Sequence, residues 1–274
     1  MAQPLNKKRV VVLGSTGSIG DSALKVARDI PDRMEVVGLA AHQSIDKINQ
    51  QARDFGVRHV AIADQQLQDQ VEAENALGGE DGLVELATLD EANLVLIAIV
   101  GTGGLRPALA ALEAGKDIAV ASKEILVMAG EAVMEAAAKN NCRVLPVDSE
   151  HNAIYQCLEG REPDEVRRII LTASGGPFRT TPAQQLREVT VEQALNHPTW
   201  DMGPKITIDS ATLFNKGLEM IEARWLFGVE MDRVDVIVHP QSIVHSAVEF
   251  IDHSILAQLS HSDMCFPIQY AVTW

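Results

Sequence analysis

The feature that most constrains the fold is an alternation of apolar runs, glycine-rich turns and helical patterns through the first half of the chain. It begins with a β-branched run at 9–13, passes through Gly14-Ser-Thr-Gly17-Ser-Ile-Gly20 and enters a helical pattern at 21–29. Glycines at this spacing permit a tight turn and let backbone N–H groups approach a pyrophosphate at a helix N-terminus. A turn that merely caps a helix is the alternative, but an apolar run at 35–40 completes a strand–helix–strand unit and favours the ligand.

The alternation continues to the middle of the chain and predicts a doubly wound parallel sheet. Apolar runs at 94–100, 117–121 and 144–147 each lead into a polar or glycine-rich segment and then into a helical pattern. Ligands bind such sheets beyond the carboxyl ends of the strands. We therefore expect the binding site at the edge where four residues follow predicted strands, namely Gly14, Gly101, Lys123 and Asp148.

Two carboxylates at the last of these strand ends predict a metal site. Asp148 and Glu150 are two residues apart, so extended backbone would direct both side chains to the same face. Adjacent carboxylates repel, so either one takes up a proton or a cation lies between them. Mg²⁺ and Mn²⁺ prefer all-oxygen ligands of this kind. A pair of solvated acids in a loop is the alternative.

From residue 151 onwards the pattern changes, and runs at 168–172, 234–239 and 243–250 predict strands of a sheet with antiparallel members. The segment 174–177 is Ser-Gly-Gly-Pro, which can hold an anion or form a plain turn. The segment 197–204 predicts either a mobile lid or a packed surface loop. The segment 209–219 gathers polar groups before an apolar helical stretch, and such groups need partners where they are buried.

The end of the second predicted strand indicates which dinucleotide is bound. An acidic residue at this point commonly holds the ribose hydroxyl of NAD. This chain has Ala-His-Gln-Ser at 41–44 and no acid before Asp46. The sequence therefore favours NADP.

Composition excludes several classes of function for this 274-residue chain. The net charge of −15 argues against a nucleic-acid surface, which would need clustered Lys and Arg. Cys142, Cys157 and Cys265 are far apart and are expected to be buried thiols in a reducing, cytoplasmic compartment. With no signal peptide and no membrane-length apolar run, we expect no membrane association. Met128 and Met134 are expected in the core.

Five segments together resemble one family, the 1-deoxy-D-xylulose 5-phosphate reductoisomerases. They are Gly-Ser-Thr-Gly-Ser-Ile-Gly at 14–20, Pro-Val-Asp-Ser-Glu-His-Asn-Ala-Ile at 146–154, Ala-Ser-Gly-Gly-Pro-Phe-Arg at 173–179, Asp-Ser-Ala-Thr-Leu-Phe-Asn-Lys-Gly-Leu-Glu at 209–219 and His-Pro-Gln-Ser at 239–242. The resemblance implies an α/β protein that rearranges deoxyxylulose phosphate and reduces the product with NADPH in non-mevalonate isoprenoid biosynthesis. It also implies a divalent cation, Mg²⁺ or Mn²⁺ with Co²⁺ as a further option, and a homodimer.

The resemblance further implies a division into domains. Residues 1–148 would be a Rossmann-like, doubly wound NADPH-binding domain. Residues 149–274 would be an α+β catalytic and dimerisation domain, shortened at its C-terminal end. The apolar end of the chain, Phe-Pro-Ile-Gln-Tyr-Ala-Val-Thr-Trp, is consistent with a fragment of a longer protein. The C-terminal helical domain of the family would be absent from this chain.

Site residues follow from the resemblance position by position. Its implied metal ligands are Asp148, Glu150 and Glu219, which with Lys123 form the catalytic set. Its implied contacts to the phosphorylated sugar are Ser149, Ser174, His197, Trp200, Ser210, Asn215 and Lys216, with Trp200 in the lid. Its implied cofactor contacts are Gly14, Thr16, Gly17, Ser18, Ile19, Gly20, Ser44, Ser122, Glu124 and Gly203. The chain departs from the family at Ser122, where Asn is common, and at 42–44, which lacks the usual glycine, basic and asparagine residues.

Two other functions compete with this interpretation. One is another two-domain NADP oxidoreductase, of the semialdehyde or homoserine dehydrogenase type, which would need no metal carboxylates. The other is a non-catalytic module that senses NADPH, which would have no use for acids and a lysine gathered in one pocket. Turnover that depends on a metal would distinguish a reductoisomerase from the other oxidoreductases. The acids and the lysine in the second half of the chain would distinguish it from a sensor.

Overall fold

The structure is a computed structural model that describes residues 7–274. It divides into two compact units. The first ends at Asp148 and also includes residues 264–274, and the second comprises residues 149–263. Residues 264–274, which the sequence analysis placed in the second domain, belong to the first unit.

The strands and helices of the described residues alternate through the first unit and are mixed in the second. The strands are β1 Lys8–Leu13, β2 Met34–Ala41, β3 His59–Ile62, β4 Asn75–Gly78, β5 Leu94–Ile97, β6 Asp117–Val120, β7 Val144–Pro146, β8 Val166–Ala173, β9 Val234–Val238, β10 Val244–Phe250 and β11 Ile255–Leu259. The helices are α1 Ser18–Asp29, α2 Ile45–Phe55, α3 Gly79–Ala87, α4 Leu105–Glu113, α5 Glu124–Lys139, α6 Ser149–Cys157, α7 Val191–Leu195, α8 Pro204–Ala211, α9 Phe214–Phe227 and α10 Cys265–Thr273.

The first unit contains a seven-stranded, all-parallel sheet in the order β4-β3-β2-β1-β5-β6-β7. The strand order reverses at β1. Right-handed crossovers therefore place α1 and α2 on one face of the sheet and α3, α4 and α5 on the other. Because both faces are covered, the strands are continuous apolar runs, and the side chains of 10–13 in β1 are completely buried. This confirms the predicted doubly wound sheet.

The second unit contains a four-stranded sheet in the order β11-β10-β8-β9. Strand β10 is antiparallel to both β11 and β8, whereas β9 is parallel to β8, as the expected mixed sheet requires. One face is covered by α6, and its core includes Ile154, Ile169, Leu171, Val248 and Phe250. The edge strands carry exposed large apolar side chains, namely Val236, Ile237, Val238, Ile255, Leu256 and Leu259.

Three local expectations were wrong. The run at 94–100 is a strand only as far as Ile97, and Val100 is 76% exposed. Met128 is 55% exposed, next to a kink in α5 where Ala129 has non-helical backbone angles. Of the three cysteines only Cys157 is buried, and the other two are half-buried.

Among residues 7–274, no helix combines the length and the apolar character that crossing a membrane requires.

Candidate active site

The glycine turn between β1 and α1 is shaped by close backbone packing. Gly14 has a φ of +96°, and a Cβ there would overlap the carbonyl of Ala98, which follows β5. Gly20 lies buried in α1, where a Cβ would overlap the backbone of Ser15. Gly17 is the N-cap of α1, and a Cβ there would meet nothing closer than the Gly14 carbonyl at 3.5 Å. The turn therefore exposes backbone at the N-terminus of a 12-residue helix, which suits a pyrophosphate.

The other cofactor residues named from the sequence lie at ends of helices. Thr16, Ser18 and Ile19 lie in the glycine turn and the first residues of α1, and the exposed Ser44 is the N-cap of α2. Ser122 is buried, and its hydroxyl donates to the carbonyl of Ile99. Glu124 is the first residue of α5. Gly203 is the N-cap of α8, in the second unit.

The carboxyl ends of β1, β5, β6 and β7 lie side by side in the first unit, as the sequence predicted. Lys123 follows β6, and Asp148 follows the neighbouring β7. The Lys123 Nζ lies 2.5 Å from Asp148 Oδ2, and the two side chains are only 5% and 10% exposed. A buried ammonium and carboxylate are thus paired at the edge where such sheets bind ligands.

In the second unit, Lys216 joins two acidic side chains. The Lys216 Nζ donates to Glu150 Oε1 at 2.8 Å and also contacts Glu219 Oε2. Burial disfavours the ammonium, but the attraction of Glu150 and Glu219 outweighs it and raises the pKa of Lys216 above its usual value. Asn215 Nδ2 donates to the other Glu219 oxygen, and Ser149 Oγ donates to Glu150 Oε2 at 2.6 Å.

The backbone explains how this cluster forms. Extended backbone was expected from Asp148 to Glu150. Instead, α6 begins at Ser149 and Glu150 lies in its first turn. Leu213, between α8 and α9, has a φ of +61°, which is unusual for a residue with a side chain. The chain therefore turns sharply from α8 into α9, whose first turns carry Asn215, Lys216 and Glu219.

Acidic oxygens around a cation suit a divalent metal. Glu150 and Glu219 offer carboxylate oxygens, and the ammonium of Lys216 already lies between them as a positive charge would. Hard cations take carboxylate ligands of this type. The residues present in the second unit therefore fit a Mg²⁺ or Mn²⁺ ion, and the glycine turn of the first unit fits a dinucleotide.

A second group of polar residues surrounds His197. Its Nδ1 accepts hydrogen bonds from the backbone N–H groups of Thr199, at 3.1 Å, and Trp200, at 3.0 Å. Its Nε2 lies 2.9 Å from Ser174 Oγ and therefore carries the proton in this arrangement. Burial and the nearby Arg179 lower the pKa of His197, which favours this neutral form.

Trp200, in the segment 197–204, contacts residues at the start of β10 and in the loop before it. The Trp200 indole N–H lies 3.4 Å from Ser242 Oγ, and its ring meets the edge of His245. Gly175 and Gly176 both have positive φ, and a Cβ at Gly176 would press on the Ser210 carbonyl at 2.5 Å. The turn 174–176 thus packs against the end of α8, where Ser210 lies.

Two residues beside the acidic cluster were missed by the sequence analysis. His151 and Glu222 are both completely buried, and His151 Nδ1 lies 3.4 Å from Glu222 Oε2. A signal existed for Glu222, because an acid inside a predicted buried helix requires a partner. His151 gave no comparable signal, since histidine is common at half-buried positions.

Comparison with known proteins identifies the family. Residues 10–130 match the family model for 1-deoxy-D-xylulose 5-phosphate reductoisomerase, and residues 144–227 match that for its C-terminal domain. The reductoisomerase of Protochlamydia amoebophila is 52% identical over 97% of this chain and 71% of its own length. That of Anaeromyxobacter dehalogenans is 55% identical over 97% of this chain and 69% of its own length.

The chain belongs to the 1-deoxy-D-xylulose 5-phosphate reductoisomerase family.

Solved structures agree with membership in the reductoisomerase family. A DOX-P reductoisomerase in complex with NADPH, fosmidomycin and magnesium aligns with a TM-score of 0.92 at 41% identity, covering 97% of this chain and 69% of the other. The Zymomonas mobilis reductoisomerase in complex with NADPH aligns with a TM-score of 0.89 at 44% identity, covering 98% and 71%. The homoserine dehydrogenase of Thermoplasma acidophilum aligns with a TM-score of 0.57 at 14% identity over 97% of both chains, a likeness of fold alone.

Proposed function

We propose that this protein converts 1-deoxy-D-xylulose 5-phosphate to 2-C-methyl-D-erythritol 4-phosphate with NADPH and a divalent cation. The observation that carries the proposal is the cluster of Glu150, Lys216 and Glu219, which lies within the segment matched by the C-terminal domain of the family. A homoserine-dehydrogenase-type enzyme or an NADPH sensor has no need of this cluster, so neither alternative is favoured.

The divalent cation is proposed to bind Glu150, Glu219 and Asp148, which precedes Glu150 by two residues in the chain. When bound, it supplies Lewis-acid polarisation of substrate oxygens during the rearrangement. Glu219 is buried and Glu150 is half-buried, so their charges are screened less by water than charges on the surface would be. Asn215 orients the Glu219 carboxylate and Ser149 orients that of Glu150, so both acids are fixed before any substrate binds.

The cofactor is proposed to bind the glycine turn of the first unit through 14–20, with Ser44, Ser122, Glu124 and Gly203 as further contacts. NADPH, when bound, supplies the hydride that reduces the rearranged aldehyde. The turn contributes backbone donors at the N-terminus of α1, where the helix dipole favours phosphate groups. The buried ammonium of Lys123 is proposed to donate to the reacting substrate oxygens, with Asp148 holding it in place.

The substrate phosphate is proposed to bind Ser174, Ser210, Asn215 and Lys216, with His197 beside them. The net charge of −15 gives an anion no general attraction, so local donors must hold it. His197 fixes Ser174 by the bond from its Nε2 and fixes the backbone of Trp200 through its Nδ1. Trp200 is proposed to cover the substrate and exclude water from the reduction.

The protein is further proposed to act as a homodimer in the cytoplasm. The exposed apolar side chains of β9 and β11 would be buried by pairing of two second units. In the described part of the chain the three cysteines form no disulfide, which suits a reducing compartment.

The test is NADPH oxidation on addition of 1-deoxy-D-xylulose 5-phosphate. We expect oxidation with Mn²⁺ present, loss of oxidation after chelation, and recovery when Mn²⁺ is returned. The product should be 2-C-methyl-D-erythritol 4-phosphate by mass spectrometry. Oxidation that survives chelation would contradict the metal-dependent proposal, and NADPH binding without turnover under any metal would favour the sensor.

A further inference from the structure

The strongest unexplained feature of the second unit is a buried pair formed by Glu222 and His151. Glu222 lies in α9, three residues after Glu219, and His151 lies in α6, next to Glu150. Their side chains are 1% and 0% exposed, and Glu222 Oε2 lies 3.4 Å from His151 Nδ1. The pair therefore links the two helices that carry the proposed metal ligands.

The other nitrogen of His151 determines where its proton lies. His151 Nε2 is 2.8 Å from the backbone carbonyl oxygen of Glu219. A carbonyl oxygen can only accept, so Nε2 carries a proton and donates it. The Phe227 ring stacks on the imidazole with centroids 6.2 Å apart and an angle of 8° between the planes, which restrains its rotation. His151 is therefore held in one orientation, with Nδ1 directed at Glu222.

Stability alone does not account for a carboxylate in this position. Apolar residues of similar volume often replace a buried ion pair without loss, because the pair must be removed from water. In metal sites, by contrast, groups that orient the ligands contribute strongly to affinity. The pair is one helical turn from Glu219 and adjacent to Glu150, which is where such an orienting group would act.

We propose that Glu222 is a positioning residue for the divalent-cation site. Its carboxylate lies 3.4 Å from Nδ1 of His151 and helps to hold the orientation of the ring, while Nε2 of His151 anchors the helical turn of Glu219 to the helix of Glu150. The distance between the two glutamate carboxylates is thereby set before the cation binds. This inference rests on the proposed function, since it assumes that Glu150 and Glu219 hold the cation.

The first test is the isosteric variant Glu222→Gln. We expect its Mn²⁺ affinity, measured from the free-ion signal in electron paramagnetic resonance, to fall roughly 10- to 100-fold. NADPH affinity should stay within twofold of the wild type because Glu222 is not among the proposed cofactor contacts, and circular dichroism should show an unchanged fold. Mn²⁺ affinity within twofold of the wild type would overturn the proposal. Complete loss of Mn²⁺ binding by a folded variant would also overturn it, since Glu222 would then be a ligand.

Two further measurements keep the proposal testable if Glu222→Gln does not fold. The double variant His151→Phe with Glu222→Met replaces the pair by apolar groups and should fold, yet bind Mn²⁺ more weakly than the wild type. Wild-type affinity in that variant would overturn the proposal. In the unaltered protein, nitrogen NMR of His151 should show a proton on Nε2, and a bare Nε2 would overturn it.

Failure of the proposed function would look different from failure of this inference. If the wild type binds no Mn²⁺, or if Glu219→Gln binds it normally, the cation site itself is wrong. If the wild type binds Mn²⁺, Glu219→Gln does not and Glu222→Gln is normal, only the positioning role is wrong.

Discussion

The candidate binding region of the first unit is formed by backbone, and that of the second unit is formed by charged side chains. In the first unit the glycine turn depends on backbone approach, and Gly14 and Gly20 have no room for a Cβ. In the second unit the acidic cluster depends on buried charged side chains, with Lys216 6% and Glu219 1% exposed. The first region is therefore sensitive to added volume, and the second is sensitive to lost charge.

The largest expected effect tests the backbone half of this comparison. Gly20→Ala forces a Cβ into the backbone of Ser15 and should destabilise the first unit by more than about 3 kcal/mol in urea unfolding. Gly17→Ala is the matched control, because its Cβ has room and its φ of −84° suits alanine. Stability of Gly17→Ala should change by less than about 0.5 kcal/mol. Equal losses in the two variants would refute the distinction.

The charged half of the comparison is tested by Lys216→Met. Removing the ammonium leaves the buried carboxylate of Glu219 close to that of Glu150, which is 19% exposed, so unfolding should become easier by about 3 kcal/mol. Mn²⁺ should restore more stability to this variant than to the wild type, because it replaces the lost charge. The control is Lys205→Met, whose 43% exposed ammonium pairs with Asp209 at 2.8 Å. That change should alter stability by about 0–1 kcal/mol, and a larger loss than in Lys216→Met would contradict the comparison.

Trp200 tests whether the segment 197–204 covers the substrate, a role in the second unit that does not depend on the charged cluster. Trp200→Ala removes the indole that meets Ser242 and His245, so the substrate KM should rise about tenfold, corresponding to roughly 1.4 kcal/mol of binding. NADPH affinity should not change. Trp200→Phe keeps an aromatic ring and should show less than half the effect on a logarithmic scale. Unchanged steady-state kinetics in Trp200→Ala would mean that the segment is only a scaffold.

The smallest effect concerns the pH dependence of His197. Burial and Arg179 hold its pKa below 6.5, so the unfolded chain binds this proton more readily than the folded one. Its contacts to Thr199 and Trp200 therefore contribute stability above about pH 6.5, which is lost as the pH falls through the folded-state value. Proton NMR of His197 should give a midpoint below 6.5, and Arg179→Gln should move it upward. A midpoint above 6.5 in the wild type would contradict the neutral form of His197 that accepts hydrogen bonds from Thr199 and Trp200.

The sequence predicts the first unit better than the second because its determinants are local. The run at 9–13, the glycine turn and α1 are adjacent in the chain, and short-range steric rules specify their order. The core position predicted for Met128 was wrong, and regular helical periodicity gives no sign of the non-helical backbone at Ala129 beside it. The extended geometry assigned to Asp148 and Glu150 failed because α6 begins one residue earlier than Glu150.

The acidic cluster was only partly predictable from residue patterns. Glu150 could be suspected as a ligand from its spacing to Asp148, but Glu219 lies 69 positions further along the chain and entered only through the family resemblance. The link from Glu222 through His151 to the Glu219 carbonyl could not be predicted, because it requires knowing that α6 and α9 are neighbours. Side chains of distant segments meet according to tertiary packing, which periodicity does not reveal.

The most direct test of the central claim is Mn²⁺ binding to the wild type and to Glu219→Gln. The wild type should bind one ion per chain. Glu219→Gln should bind it more than about 100-fold less tightly, which exceeds the usual effect of losing an orienting group. Its affinity for NADPH should be unchanged, because the glycine turn lies in the other unit. Mn²⁺ binding of wild-type strength in Glu219→Gln would show that the acidic cluster of the second unit does not hold the cation.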